Sequence, residues 1–241
     1  MTRDGTVEKA VCAGRSSWLR RKNTGPTLGR IYLVFAATII AGIVLGHWLV
    51  PWGPVSGPGW AGHLLRWDGL WYRDIAMHGY HWQSHERTAL QNVAFFPLYP
   101  MIEAGLMRMV GPNIWLTSIM PGALFGLWSI AAFARLAETI WGDRQSALQA
   151  ATLYALWPAS SFYFNGYPTG LINLCAIAAI QAMLNQHKLR SAFWCGLGAA
   201  AAPTMVFFAA GLCLTCAYQW WRDGCRLAEL ARLILFGVLS V

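Results

Sequence analysis

The sequence predicts an all-α, polytopic membrane protein with about six to seven transmembrane helices. Three observations carry that expectation. Hydrophobic residues make up 56% of the chain and charged residues only 12%, about half the charged share of a soluble domain. Apolar runs of spanning length alternate with short breaks rich in proline and glycine. A basic tail precedes the first run. Within residues 1–30, seven cations (Arg3, Lys9, Arg15, Arg20, Arg21, Lys22 and Arg30) stand against Asp4 and Glu8, a net +5. That pattern keeps an N-terminus in the cytoplasm, and its place before a span argues against nucleic acid as a partner.

The first helix is expected over residues 31–50, long enough to cross about 30 Å of hydrocarbon. No small-residue cleavage site follows it, so it reads as a retained span rather than a signal peptide. Pro51, Gly53, Pro54, Gly57, Pro58 and Gly59 then make residues 51–62 an irregular exit loop. The extracytoplasmic loop as a whole is expected over residues 51–92. Leu64, Trp67, Trp71 and Ile75 recur at helical steps, with Arg66 and Arg73 on the other side and Gly79 as the stop. A short helix so rich in Trp and Tyr suits the membrane interface.

A second span is expected over 93–110, with Pro97 and Pro100 in its opening turns, where proline is tolerated. Gly111, Pro112 and Asn113 form a tight return before a third span over 114–137. Residues 138–144 read as a polar loop, 146–164 and 171–185 as shorter apolar runs, and 192–221 as one long run. Residues 227–241 begin a helix that the chain ends before completing, as a truncated version of a longer protein would. Simple alternation puts residues 165–170 on the cytoplasmic side, unless a shorter segment turns back without crossing. The Lys and Arg counts of the later loops nearly cancel and do not decide it. No internal repeat supports an inverted-repeat transporter.

Chemistry concentrates in residues 66–100. That passage holds three of the four acids between Glu8 and Glu138, and five of the six histidines fall between His47 and His85. Asp68 shares a helical face with Leu64, Trp71, Tyr72 and Ile75. A carboxylate there is costly unless bonded or used, and partial burial would make it a better proton acceptor. As an alternative, Asp68 before Gly69 is simply the N-cap of a helix. Asp74 reads as a solvated or salt-bridged surface group. Glu103, inside an expected span, is either functional or paired to an arginine. His81, His85 and Glu86 would suit a metal only on an unbroken helix, so no metal site is assigned. Arg66, Arg73 and Arg87 could cradle a lipid phosphate or face headgroups. Cys213 and Cys216 form a CxxC within an apolar run, without a second pair, and read as core packing.

Trp67-Asp68, Trp71-Tyr72, Ile75-Ala76, Gly79-Tyr80 and the run Ala94-Phe95-Phe96-Pro97-Leu98-Tyr99-Pro100 resemble the signature of the PIG-V family, the GPI mannosyltransferase 2-like enzymes. Weaker similarity continues through residues 157–162, Tyr167 and Pro203. The resemblance implies a C-type glycosyltransferase fold with its catalytic acid in the first extracytoplasmic loop. It implies transfer of a sugar, mannose, from a polyprenyl-phosphate carrier to a glycan, glycolipid or protein acceptor on the outer face, with inversion and with no cofactor. Asp68 would be the base, arginines would hold the carrier phosphate, and aromatic residues would shape the cleft. The implied contact set is Arg66, Trp67, Trp71, Tyr72, Arg73, Asp74, His78, Tyr80, Phe96, Pro97, Tyr99 and Tyr167. Two positions depart from the pattern: Thr169 stands where the family usually has Glu, and Ala202 where an Arg commonly precedes proline. A non-catalytic relative acting as a partner subunit in a membrane complex is the alternative.

Overall fold

The computed structural model describes residues 25–49, 64–65, 67–82 and 91–222. All regular structure among them is helical, as expected. In order the helices are α1 (Gly25–Leu49), α2 (Asp68–His78), α3 (Leu98–Val110), α4 (Met120–Trp141), α5 (Arg144–Leu156), α6 (Thr169–Leu184), α7 (Lys188–Ala199) and α8 (Thr204–Arg222). Short 3-10 stretches cover Asn92–Ala94 and Pro158–Phe164, and a π turn, Trp115–Ile119, leads directly into α4. The chain divides into two compact units, one of residues 1–54 and 127–161, the other of residues 55–126 and 162–241.

In the first unit α1 packs on α5. Helix α1 starts earlier than its apolar run because Pro26 lies in its first turn, where a missing N–H forfeits no helical bond. Both carboxylate oxygens of Asp143 cap α5, accepting from the Gln145 N–H at 3.3 Å and the Ser146 N–H at 2.8 Å. Ala147, Ala151 and Ala155 then form a buried small-residue ridge at steps of four. Tyr32 donates to the Leu127 carbonyl at 2.9 Å. Phe133 stacks on Tyr154 with ring centres 4.6 Å apart.

The second unit is organised around a cluster of Tyr72, Tyr99, Leu171, Cys175, Ala199, Ala201 and Met205. Helix α4 enters it through Gly122 and Gly126, spaced four apart on one face. A Cβ at Gly126 would lie 2.6 Å from the Tyr163 ring, and one at Gly170 would lie 2.5 Å from the Gly126 nitrogen. Small residues here let α6 meet α4 backbone to backbone. The π turn ends just before Pro121, whose missing N–H and bulky ring break the ordinary ladder at that point. Cys216 is buried, its Sγ 3.8 Å from the Met183 Sδ, so this half of the CxxC packs in the core.

Several expected spans are revised. Helix α3 has 13 residues, about 20 Å of rise, which is too short to cross the hydrocarbon. It stops at Gly111, whose φ of 77° suits glycine. Residues 192–221 form two helices, because Pro203 interrupts the ladder between α7 and α8. The third expected span is found, and longer than expected: Trp115–Trp141, 27 residues, is long and apolar enough to cross a membrane. The bent pair Pro158–Phe164 and Thr169–Leu184, at 111°, makes a second crossing if counted as one broken span. Six to seven crossings are therefore not found among the described residues. The exit loop over 51–62 and the incomplete helix over 227–241 lie outside them.

Replacing Gly126 by Val places methyl groups into the Tyr163 ring. The expected outcome is a loss of about 1–3 kcal/mol, seen as a lower melting temperature of the detergent-solubilised protein, whereas Val at Gly105, with open space around it, leaves that temperature nearly unchanged.

Candidate active site

Helix α2 begins at Asp68 itself, and this decides how its carboxylate is presented. Trp67 holds the cap position with φ 47° and no side-chain cap bond, a left-handed backbone that a tryptophan adopts only under constraint. Trp67 is consequently 69% exposed and stands outside the helical stripe its spacing suggests. Asp68 follows as the first helical residue. It is exposed, not partly buried, because it projects from the end of the helix rather than from its apolar side. Nor is it the N-cap. Among the described residues its carboxylate accepts no hydrogen bond, while its own N–H donates to the Tyr167 hydroxyl at 3.3 Å.

That bond joins two stretches ninety-nine positions apart. They meet closely: a Cβ on Gly69 would lie 2.5 Å from the Asn165 carbonyl oxygen. Gly166, at φ 67°, turns the second stretch back towards Leu65. Residues 165–170 therefore lie at the Asp68 end.

An aromatic wall continues from Asp68. Tyr72 meets Phe95 edge-on at 5.1 Å and Tyr99 at 5.5 Å, while Trp71 stacks with Phe95 at 6.0 Å. Tyr80 donates to the Phe95 carbonyl at 2.7 Å, and Phe162 packs edge-on against Tyr167 at 5.2 Å. Burial, reinforced by the Asp68 charge, pushes the Tyr72 phenol well above its ordinary range. Burial likewise raises Tyr80 and Tyr167. These phenols stay protonated at neutral pH and can act as donors. Pro97 takes the position before α3 and is exposed, with Phe96 half-buried beside it. The Leu98 N–H donates to the Ala200 carbonyl at 2.9 Å. The break around Ala202 thus adjoins this wall.

The polar candidates separate into two groups. Asp74 accepts from or pairs with His78 Nδ1 at 2.8 Å and lies 3.9 Å from His81 Nε2, which agrees with a salt-bridged surface carboxylate. Asn92, fully buried, ties this group down: its amide donates to the Gly79 carbonyl at 3.1 Å, and its oxygen accepts the His81 N–H at 3.0 Å. Arg73 turns inward. It donates to the Pro112 carbonyl at 2.7 Å, to Thr117 at 3.2 Å and to Ser118 at 3.0 Å. The Ser118 hydroxyl donates in turn to Glu103 Oε2 at 3.4 Å, leaving Oε1 without a partner in a fully buried side chain. Arg66, Arg87, His85 and Glu86 lie outside the described residues. No group of three or more His, Cys, Asp or Glu among the described residues could hold a metal.

Residues 58–241 match the family of PIG-V mannosyltransferases. The chain belongs to that family. The match covers most of the sequence and contains Asp68, the aromatic wall and the 165–170 stretch. Neither the curated proteins nor the solved structures give a match. Membership makes this PIG-V chain a member of a membrane-associated glycosyltransferase family that uses mannose, implying a sugar donor and a glycan acceptor in general terms.

The sequence does not single out Asn92, Ser118 or Gly69. Asn92 and Ser118 are isolated polar residues at the edges of apolar runs, and no periodicity distinguishes a buried hydrogen-bonding side chain from a loop residue. The only hint for Gly69 is its place in the motif.

Three outcomes follow from this geometry. Gly69→Ala, which pushes α2 off the Asn165 carbonyl, is expected to lower mannosyl transfer at least tenfold in a membrane assay, with about 1–3 kcal/mol lost from stability. Arg73→Ala is expected to cost about 1.5–3 kcal/mol, because charge-assisted bonds to buried hydroxyls are lost. Glu103→Gln should stay within about 1 kcal/mol of the unmodified protein, since the Ser118 bond survives; thermal unfolding in detergent measures both.

Proposed function

We propose that this PIG-V chain transfers mannose from a polyprenyl-phosphate carrier to a hydroxyl acceptor at the extracytoplasmic face, with Asp68 as the base. What carries the reading is the Asp68 carboxylate. It accepts no hydrogen bond among the described residues, is open to solvent, and stands at the rim of an aromatic wall completed by Tyr167. A carboxylate used as a cap or an ion-pair partner would already be engaged. The basic tail before α1 supports the sidedness, placing residues 51–92 beyond the first span on the outer side.

In this mechanism Asp68 takes the proton of the acceptor hydroxyl as its oxygen attacks the anomeric carbon. The bond from that carbon to the carrier phosphate breaks on the opposite face, so the anomeric configuration inverts. Polyprenyl phosphate leaves with the bonding pair. Trp71 and Phe95, both half-buried, supply apolar faces against which a sugar ring and the first isoprene units can lie, backed by the buried rings of Tyr72 and Tyr99. Arg73 acts by position, holding α2 against the 112–118 turn. Contact with the carrier phosphate falls to Arg66 and Arg87.

One observation favours the alternative of a non-catalytic partner subunit. Thr169 and Ala202, where the family carries charge, both lie by the site: Thr169 two positions after Tyr167, and Ala202 next to the Ala200 carbonyl that holds α3.

Radiolabelled polyprenyl-phosphate-mannose supplied to membranes containing the chain separates the two. Transfer by the unmodified protein, lost at least a thousandfold in Asp68→Asn with insertion unchanged, is expected. Unimpaired transfer by Asp68→Asn would remove Asp68 from the chemistry. No transfer from any lipid-linked sugar, together with co-purification of a second membrane protein, would establish the partner-subunit role.

A further inference from the structure

The Tyr167 hydroxyl is engaged on one side only. Its oxygen accepts the Asp68 N–H at 3.3 Å. That amide opens α2 and has no intrahelical partner, and the Trp67 side chain makes no cap bond. The O–H of Tyr167 has no acceptor among the described residues, and the Asp68 carboxylate does not take it. Burial keeps this phenol in its protonated, donating form, and the charge of Asp68 adds to the effect. The ring is half-buried and meets Phe162 edge-on at 5.2 Å. Gly166, at φ 67°, and the close approach at Gly69 fix the backbone that carries it. A fixed donor and the exposed Asp68 carboxylate thus issue from two residues already bonded to each other.

Their nearness decides which substrate the donor meets. In an inverting transfer the attacking oxygen and the departing phosphate occupy opposite faces of the anomeric carbon. A hydroxyl bonded to the backbone of the base lies on the attacking side, with the acceptor and away from the carrier. Donation to the attacking oxygen itself would draw charge from the atom that has to form the new bond. The oxygen beside it carries no such penalty. On a sugar ring, neighbouring hydroxyls stand a hydrogen bond's length apart, so one can face Asp68 while the next faces Tyr167. A lone serine or threonine hydroxyl offers no second oxygen at that spacing.

We propose that Tyr167 donates its O–H to an acceptor hydroxyl adjacent to the one Asp68 deprotonates, so that the site selects a sugar with neighbouring hydroxyls as acceptor. This rests on the reading of Asp68 as base, and adds to it the class of acceptor and the residue that recognises it. Tyr167 thereby sets acceptor affinity, and its bond to the Asp68 N–H keeps donor and base in register.

The test uses membranes containing the full chain, radiolabelled polyprenyl-phosphate-mannose, and two probe acceptors: octyl mannoside and a peptide with a single serine. A set of octyl mannosides, each lacking one hydroxyl, completes it. Transfer to octyl mannoside and not to the peptide is expected. Tyr167→Phe, which keeps the ring against Phe162, is expected to raise KM for octyl mannoside about 3–10-fold, the loss of one neutral hydrogen bond. One deoxy mannoside should show the same rise with the unmodified protein and no further rise with Tyr167→Phe. A merely structural role of Tyr167 would not produce that non-additivity. Additive losses overturn the proposal, as do an unchanged KM in Tyr167→Phe, absence of transfer to octyl mannoside, and equal use of the peptide. Asp68→Asn, run alongside, separates the two readings. If it abolishes transfer to the membranes' own acceptors, any of those results sinks the acceptor assignment alone. If it leaves transfer undiminished, Asp68 is removed from the chemistry and this proposal goes with it.

Discussion

The approach of the α2 amino end to the Asn165 carbonyl is the contact on which the candidate site depends. Only a glycine at position 69 lets the two backbones come so near, and only that nearness brings the Tyr167 hydroxyl to the Asp68 N–H. The same glycine logic repeats one layer further in. Gly122 and Gly126 admit the Gly170 end of α6, which fixes where the 165–170 stretch can lie. Site geometry is therefore set by close helix packing of small residues, and the polar groups are displayed on a frame built without them.

This frame explains why Asp68 and Glu103 differ so much in character, although both are acids within predominantly apolar sequence. Asp68 leaves the helix end into solvent, free of acceptor duties among the described residues. Glu103 is fully buried, with one oxygen on Ser118 and the other unpaired. A buried carboxyl with so little hydrogen bonding is costly to keep ionised, and it is reached by no acceptor substrate. It belongs to the Arg73–Ser118 chain that pins α2, whereas Asp68 is open to solvent, as its proposed role of base requires.

Much of the polar passage is legible in the amino-acid sequence alone. Gly79 ends α2 where the sequence places its stop, Pro97 and Pro100 open α3, and the long span near 114–137 is present. These signals are local: a glycine at positive φ, a proline at a helix start, an unbroken apolar run. The failures share a different origin. Run length alone cannot tell a 13-residue helix that turns back at Gly111 from a full crossing, and hydropathy hides the break that Pro203 makes between α7 and α8. Partial burial of Asp68 follows only if α2 is projected back through Trp67. The left-handed backbone of Trp67 ends that projection, since one residue out of helical register turns every neighbour to a new direction. Asn165 meeting Gly69 is a long-range contact, and no single sequence carries it.

The electrostatics of the site then constrain how a lipid phosphate could be held there. Arg73, the described cation nearest Asp68 in sequence, directs three bonds inward to Pro112, Thr117 and Ser118. Diverting it to a phosphate would release α2 from the turn that positions it. Thr169 and Ala202 bring no charge of their own. What the described residues offer an apolar or sugar ligand there is the half-buried faces of Trp71 and Phe95, which would suit isoprene units and sugar rings under the proposed reading. Under the proposed reading, cation contact with the carrier phosphate is assigned to Arg66 and Arg87, which lie outside the described residues. An aromatic wall discriminates weakly among polyprenols, so selectivity for the donor would lie with those two arginines and with the sugar itself.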